Sequence, residues 1–227
     1  MRAGQQLYTD TLPRTQVMLF PLPCIYITQG ENGQYSHRGT LNIDFIGWDS
    51  NGRVYSMDYY APCDCECVSR SNSAYYNCWN SSNEVYCPDG VTRYVNWQNI
   101  HGNYLFNVGD TLVQGQKMGV TGAYGQATGD HMHFNTANGH YAGQQQVPPA
   151  NDWTLRNSIH IYDTCFINDT TVYHNIDNYP WREYQGGYVP PGPGPTPGDY
   201  KRSKFPWVLY ANKLRKRRYW KKSIIML

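Results

Sequence analysis

The stretch VGDTLVQGQKMGVTGAYGQATGDHMHF runs from Val108 to Phe134. Up to Gly122 it reads as short strands broken at Gly115 and Gly119, since glycine weakens a strand interior and marks turns. Its last residues open a further strand, HMHFN, ending at Asn135. Side chains two apart on a strand point the same way, so His131 and His133 project into one space. The loop before them is built on Gly122, Gly125 and Gly129, and such a loop lets backbone approach a ligand closely. Paired imidazoles behind a glycine-rich turn, on a strand, set the terms for the rest of the chain.

The flanking sequence carries the same all-β signature. Gly, Asn, Tyr and Trp are abundant and long apolar runs are missing among the 227 residues, which excludes a helical bundle and points to many short strands. TLNIDFIGW (40–48) alternates Leu41, Ile43 and Phe45 on one face. DSNGR (49–53) carries an Asn-Gly hairpin signal, and VYSMDYYAP, CDCECV and VTRYVNWQNIHG continue as strands. MLFPLPCIYIT (18–28) reads as a broken apolar strand that Pro21 and Pro23 keep at a sheet edge. SRSNSAYYNCWNSSNEVYCPDG (69–90) is polar and turn-rich and reads as a long loop. Residues 140–185 hold short aromatic elements. The expected fold is all-β, with antiparallel sheets forming a groove.

Composition divides the chain. Residues 1–17 read as an approach segment and 18–185 as one domain, long enough for its own core. GGYVPPGPGPTPG (186–198) is a Pro/Gly linker, so the boundary falls at 186–199. From Tyr200 to Leu227 there are ten Lys and Arg and no acidic residue, which leaves residues 1–199 with a balance of −8. In that basic tail Pro206 starts a short helix with Trp207, Tyr210 and Leu214 along one stripe. Docking onto another subunit is the reading favoured for the tail, over a solvated terminus or attraction to anionic polymers; a specific nucleic-acid partner is not expected. No apolar stretch approaches the ~20 residues of a membrane span, and the N-terminus has no signal-peptide apolar region.

Seven cysteines cannot all pair within one chain. Cys63, Cys65 and Cys67 alternate and share one strand face, as buried small apolar side chains would. That usage suits a reducing compartment. No spacing typical of a structural zinc site joins them.

His-x-His alone is a weak signal. SHRGTLNID adds His37 and Asp44 around a turn and into a strand, and an Asp between Ile43 and Phe45 is either a cap or a ligand. One Asp and two His make the donor composition of a catalytic zinc site with an open position. His101 follows VTRYVNWQNI and precedes Gly102. His140, His160 and His174 read as surface or loop residues. Asp130 is a turn residue or a partner for a ligand histidine. Tyr35, Trp48 and Tyr124 are candidates for groove contacts.

These blocks, in this order, resemble the lysostaphin-type (LytM-like) zinc metalloendopeptidases, which cut peptides of bacterial cell walls. SHRGTLNIDF resembles the first family motif, APCDCECV the strand that follows it, NIHG the block with a catalytic His, and Val108–Phe134 the long signature ending in His-x-His-Phe. Together they cover about residues 18–136. The resemblance implies the lysostaphin-like fold, a duplicated hybrid motif. It implies Zn2+ held by His37, Asp44 and His133, with His101 and His131 as the catalytic pair that does not bind metal; which of the two takes the proton stays open. The implied activity is endopeptidase cleavage of peptidoglycan, in stem peptide or cross-bridge. Two departures stand out. His37 and Asp44 are seven positions apart where the family uses His-x-x-x-Asp, a spacing that resembles tail-tip peptidases of bacterial viruses. The 63–67 strand also lacks the usual Gly. The implied setting is a phage tail in the virion acting on the host wall, with tail subunits as partners of residues 200–227; the other setting is the host cytosol before lysis. The competing reading is a catalytically silent structural or wall-binding module on the same fold.

Overall fold

The computed structural model describes residues 3–104, 106–149 and 152–186. The basic tail and almost all of the Pro/Gly linker lie outside the described residues. Within them the chain is almost entirely strand and turn, with one helical turn at Ile161–Thr164.

One large sheet organises the chain. Its strands are β1 (Cys24–Gln29), β2 (Ile43–Asp49), β3 (Gly52–Val54), β4 (Cys65–Ser71), β5 (Tyr76–Ser81), β6 (Val95–Ile100), β7 (Thr111–Leu112), β8 (Met132–Asn138), β9 (Ser158–Ile159) and β10 (Thr171–His174). Their order across the sheet is β7-β4-β5-β6-β8-β2-β1-β10, with β3 on β2 and β9 on β8. Neighbours are antiparallel except β10, which runs parallel to β1.

The two faces of this sheet differ because side chains alternate. Opposite pairs share a face, so Ile43, Phe134 and Asn99 lie on one side and Asp44, His133 and Ile100 on the other. The first side is the core. Phe20 meets Phe45, Phe134 and Trp181 edge-on with centroids 5.4, 6.1 and 5.4 Å apart, the preferred aromatic geometry. Met18, Leu22, Ile27, Trp79, Trp97 and the Cys63, Cys65 and Cys67 side chains are buried with them. The second side carries the polar row and is partly covered by the hairpin Gln144–Val147/Asp152–Leu155. Asn135 Nδ2 donates to Thr154 Oγ1 at 2.8 Å, and Gln98 Nε2 to the Trp153 carbonyl at 3.2 Å.

Three local expectations are corrected. The stretch 69–90 is not a long loop, because Tyr76–Ser81 is an interior strand between β4 and β6. Its polarity is internal: Asn77 is buried and donates to Cys67 Sγ, and Trp79 Nε1 donates to Asn99 Oδ1 at 3.1 Å. Likewise β1 is not an edge. Pro21 and Pro23 precede the strand and obstruct no ladder, so Thr171–His174 pairs along its free side. Within the 108–122 stretch the break falls at Gly115, with φ +78°. Gly119 lies inside the strand Lys117–Val120, where a Cβ would stand 2.2 Å from the Asn103 carbonyl.

The N-terminal segment is packed as well. Leu7 and Val17 are buried with Leu19 and Phe166, and Gln16–Val17 pairs with Val85–Tyr86.

Candidate metal centre

Sheet register brings the site together. Asp44 on β2 and His133 on β8 are opposite partners, and Ile100 on β6 pairs His133 from the other side. His101 therefore leaves β6 beside the same row. Its backbone sits at φ +74°, the left-handed region that costs a non-glycine residue free energy. Its neighbours over-determine it: His101 N donates to the Tyr75 carbonyl at 3.0 Å, and its carbonyl accepts from Tyr124 N at 3.2 Å. His131 enters through a bridge to Gly122. A Cβ at Gly122 would lie 2.7 Å from the His101 carbonyl, so the glycine is what lets the two segments approach.

His37 comes from the turn between β1 and β2. His37 N donates to the Gly33 carbonyl at 3.1 Å, and the His37 carbonyl accepts from Thr40 N at 2.9 Å. The wider spacing to Asp44 is thus taken up by a hydrogen-bonded turn that returns the imidazole to the start of β2.

Ligating atoms of His37, Asp44 and His133 all lie within 4.8 Å of one another. His37 Nε2 is 3.3 Å from Asp44 Oδ1, and His133 Nδ1 is 3.1 Å from the same oxygen. His37 is fully buried and His133 nearly so. A backbone carbonyl can only accept, so each contact to one places a proton on that ring nitrogen and sets the tautomer of the neutral ring. His37 Nδ1–H donates to the Gly30 carbonyl at 3.1 Å, so in the neutral ring Nε2 is a lone pair facing Asp44. His37 Nε2 and Asp44 Oδ1 are each buried without a hydrogen-bond partner. Two buried acceptors held face to face repel and are costly to desolvate unless a proton or a metal cation lies against both. The donor set, one carboxylate and two imidazoles, suits a divalent metal of borderline softness.

Two more histidines flank the set. His101 Nδ1–H donates to the Tyr124 carbonyl at 2.7 Å and His131 Nδ1–H to the Gly129 carbonyl at 2.8 Å. Their rings lie 4.6 Å apart, and His131 Nε2 is 3.9 Å from Asp44 Oδ1. Both rings are thereby oriented, with Nε2 as the acceptor of the neutral form. Burial pushes the His101 imidazole down to about 4, against weaker opposing help from the Tyr124 carbonyl. It is a neutral base at neutral pH. Burial alone would raise the Asp44 carboxyl, but a proton on His133, and then one on His37, outweighs it and holds the group well below the usual carboxylate range. Burial would lower His133, and Asp44 raises it on balance.

The centre opens on two sides. A cavity of about 670 Å³ lies beside Asp44 and His131, lined also by Gln29, Glu31, Tyr35 and Arg53. A second, of about 460 Å³, lies beside His101 and His133, lined also by Tyr76, Ile100, Asp152 and Trp153. Asp44 thus lines the first cavity and His133 the second, one on either side of the three-residue cluster.

All five histidine and aspartate positions singled out in the sequence meet here. Of the other candidates, Tyr35 stands exposed on the first cavity, and Tyr124 stacks on Tyr75 with centroids 5.0 Å apart. Trp48 stacks on Tyr26 instead. Asp130 serves its turn, accepting from Thr121 Oγ1 at 2.8 Å and Ser56 N at 3.0 Å. Sequence reasoning missed Gln29, which donates to Asp44 Oδ2 at 3.2 Å, and Asp152, whose carboxylate is 3.7 Å from His37 Nε2. Neither has a motif signal. His160, read as a loop residue, is paired: its Nδ1 lies 2.6 Å from Glu31.

No family model matches the chain. It is 43% identical over 170 residues to Morphogenesis protein 1 of Bacillus phage B103, an alignment covering 74% of this chain and 44% of that relative. The chain thus spans less than half the length of that curated relative. Among solved structures it resembles a zinc-containing peptidase from Vibrio cholerae, with TM-score 0.41 and 18% identity over 62% of this chain and 39% of that one. It also resembles the catalytic domain of lysostaphin from Staphylococcus simulans, with TM-score 0.36 and 20% identity over 52% of this chain and 80% of that one. A third is the catalytic domain of the prophage-encoded M23 protein EnpA from Enterococcus faecalis, with TM-score 0.40 and 13% identity over 63% and 93% of the two chains.

Proposed function

We propose that the protein is a zinc-dependent endopeptidase acting on the peptides of bacterial peptidoglycan, as a wall-penetrating component of a phage particle. The observation that carries this reading is the buried, unpartnered pair His37 Nε2 and Asp44 Oδ1 with His133 beside them. His37, Asp44 and His133 hold the metal. A zinc ion there supplies Lewis acidity to the attacking water and to the scissile carbonyl. The remaining chemistry belongs to the chain. His101, neutral and fixed by the Tyr124 carbonyl, presents Nε2 to take a proton from water. His131, fixed by Gly129, steadies charge developing on the carbonyl oxygen or returns a proton to the leaving amine. The cavities on either side take the two arms of an extended peptide. The phage setting is supported by the viral relative, and the peptidoglycan substrate by the resemblance of the His37–Asp44 and Val108–Phe134 blocks to wall peptidases.

Two substitutions separate this reading from a silent wall-binding module. His133→Ala loses both zinc and release of amino groups from purified peptidoglycan. His101→Ala keeps zinc and loses ~10²–10⁴ of the rate, the contribution of a placed proton carrier. A wild-type protein that binds peptidoglycan and releases no amino groups supports the silent module.

A further inference from the structure

We infer that Gln29 is a positioning residue that locks the His37 turn and the Asp44 carboxylate into one unit; the inference rests on the metal-site reading above. Four contacts converge on one side-chain amide. Gln29 Oε1 accepts from Tyr35 N at 3.1 Å and Ser36 N at 3.0 Å. Those two donors fix which end of the amide is oxygen. Nε2 must then point the other way, where it donates to Ser36 Oγ at 2.8 Å and Asp44 Oδ2 at 3.2 Å. One oxygen of Asp44 faces the two histidines and the other is held by Gln29, so the carboxylate cannot rotate away from the cluster.

The backbone is shaped to allow this. Ile27 pairs Phe45 and Gln29 pairs Asp44, so Thr28 is an extra residue in the ladder. That bulge turns Gln29 onto the Asp44 face while Ile27 stays in the core. The turn is folded around the amide: a Cβ at Gly33 would lie 2.4 Å from Gln29 Cγ. Gly33 N also donates to the Gly30 carbonyl at 3.0 Å, the same carbonyl that fixes His37 Nδ1–H. One residue thus connects the orientation of two metal-holding side chains that lie seven positions apart. The long turn makes such a clamp necessary, since more backbone freedom separates the two groups.

The test is zinc affinity of the full chain, by competition with a chromophoric chelator. It uses wild type, Gln29→Met, which keeps the volume and removes the four amide hydrogen bonds, and Gln29→Asn, which withdraws the amide by one methylene. Thermal melts in EDTA report folding separately. The expected result is zinc binding weakened ~10–100-fold, the usual effect of losing a group that orients a ligand, in a variant that still melts cooperatively. Affinity within twofold of wild type in either folded variant overturns the role of Gln29 while leaving the metal site standing. If Gln29→Met fails to fold, Gln29→Asn decides. If wild type itself takes up no zinc, the metal reading falls and the clamp with it.

Discussion

His37 Nε2 and Asp44 Oδ1 face each other at 3.3 Å as two buried acceptors, with the histidine tautomer set by the Gly30 carbonyl. With His37 neutral, an arrangement of that kind is unfavourable by itself and becomes favourable with a cation. Metal should therefore stabilise the fold through these residues. Zinc at ~1,000 times its dissociation constant adds ~4 kcal/mol by mass action. Thermal melts are expected to rise on zinc addition and fall in EDTA, and Asp44→Asn to respond to neither.

His101 should stay neutral through the physiological range. Burial lowers its pKa to about 4, below the ordinary value of 6.5. The sign follows from linkage: the unfolded chain takes up the proton first as pH falls. The stability associated with His101 is complete above about 6.5 and is lost as pH falls toward 4. Imidazole NMR titration is expected to show one histidine, absent in His101→Gln, that does not protonate above pH ~5. A normal titration at that residue would remove it as a neutral base.

Glu31 links the His37 turn to the C-terminal part of the domain. Its carboxylate lies 2.6 Å from His160 Nδ1 and accepts from Ile161 N at 3.1 Å, while Glu31 N is held by Tyr179 Oη at 2.7 Å. Burial still raises the carboxyl above its ordinary range despite these partners. His160→Ala leaves a buried carboxylate short of a donor, at a cost of about 1–3 kcal/mol. Denaturant unfolding is expected to show that loss, and to show it diminish at lower pH, where Glu31 protonates. A pH-independent loss would place the effect elsewhere.

All seven cysteines are free and buried. Burial raises the pKa of each, so thiolate, the reactive form, is scarce at neutral pH. A thiol reagent is expected to label essentially none in the native protein and seven after denaturation. Fewer than seven in the denatured, unreduced chain would mean that some are bridged.

Much of the site was legible because it sits on strands with a simple alternation. Asp44 interrupts Ile43 and Phe45, and His131 and His133 bracket Met132, so the polar residues announced a face different from the core. What failed were strands whose polarity is satisfied internally. Tyr76–Ser81 carries Asn77 and Asn80, yet Asn77 and Asn99 spend their amides on Cys67, Trp79 and Tyr59 inside the protein. Hydropathy cannot distinguish that from a solvated loop. The interior position of β1 depends on Thr171–His174, more than 140 residues onward, and no local pattern encodes such a partner. Gln29 was invisible for a third reason: its role is created by a bulge and a returning turn, neither of which has a residue signature.

The most direct measurement is release of free amino groups from purified peptidoglycan by the full chain as isolated, after chelation, and after zinc is restored. The expected result is hydrolysis that chelation abolishes, that about one equivalent of zinc restores, and that neither treatment elicits from His133→Ala. Hydrolysis that persists unchanged through chelation, or in His133→Ala, would contradict it.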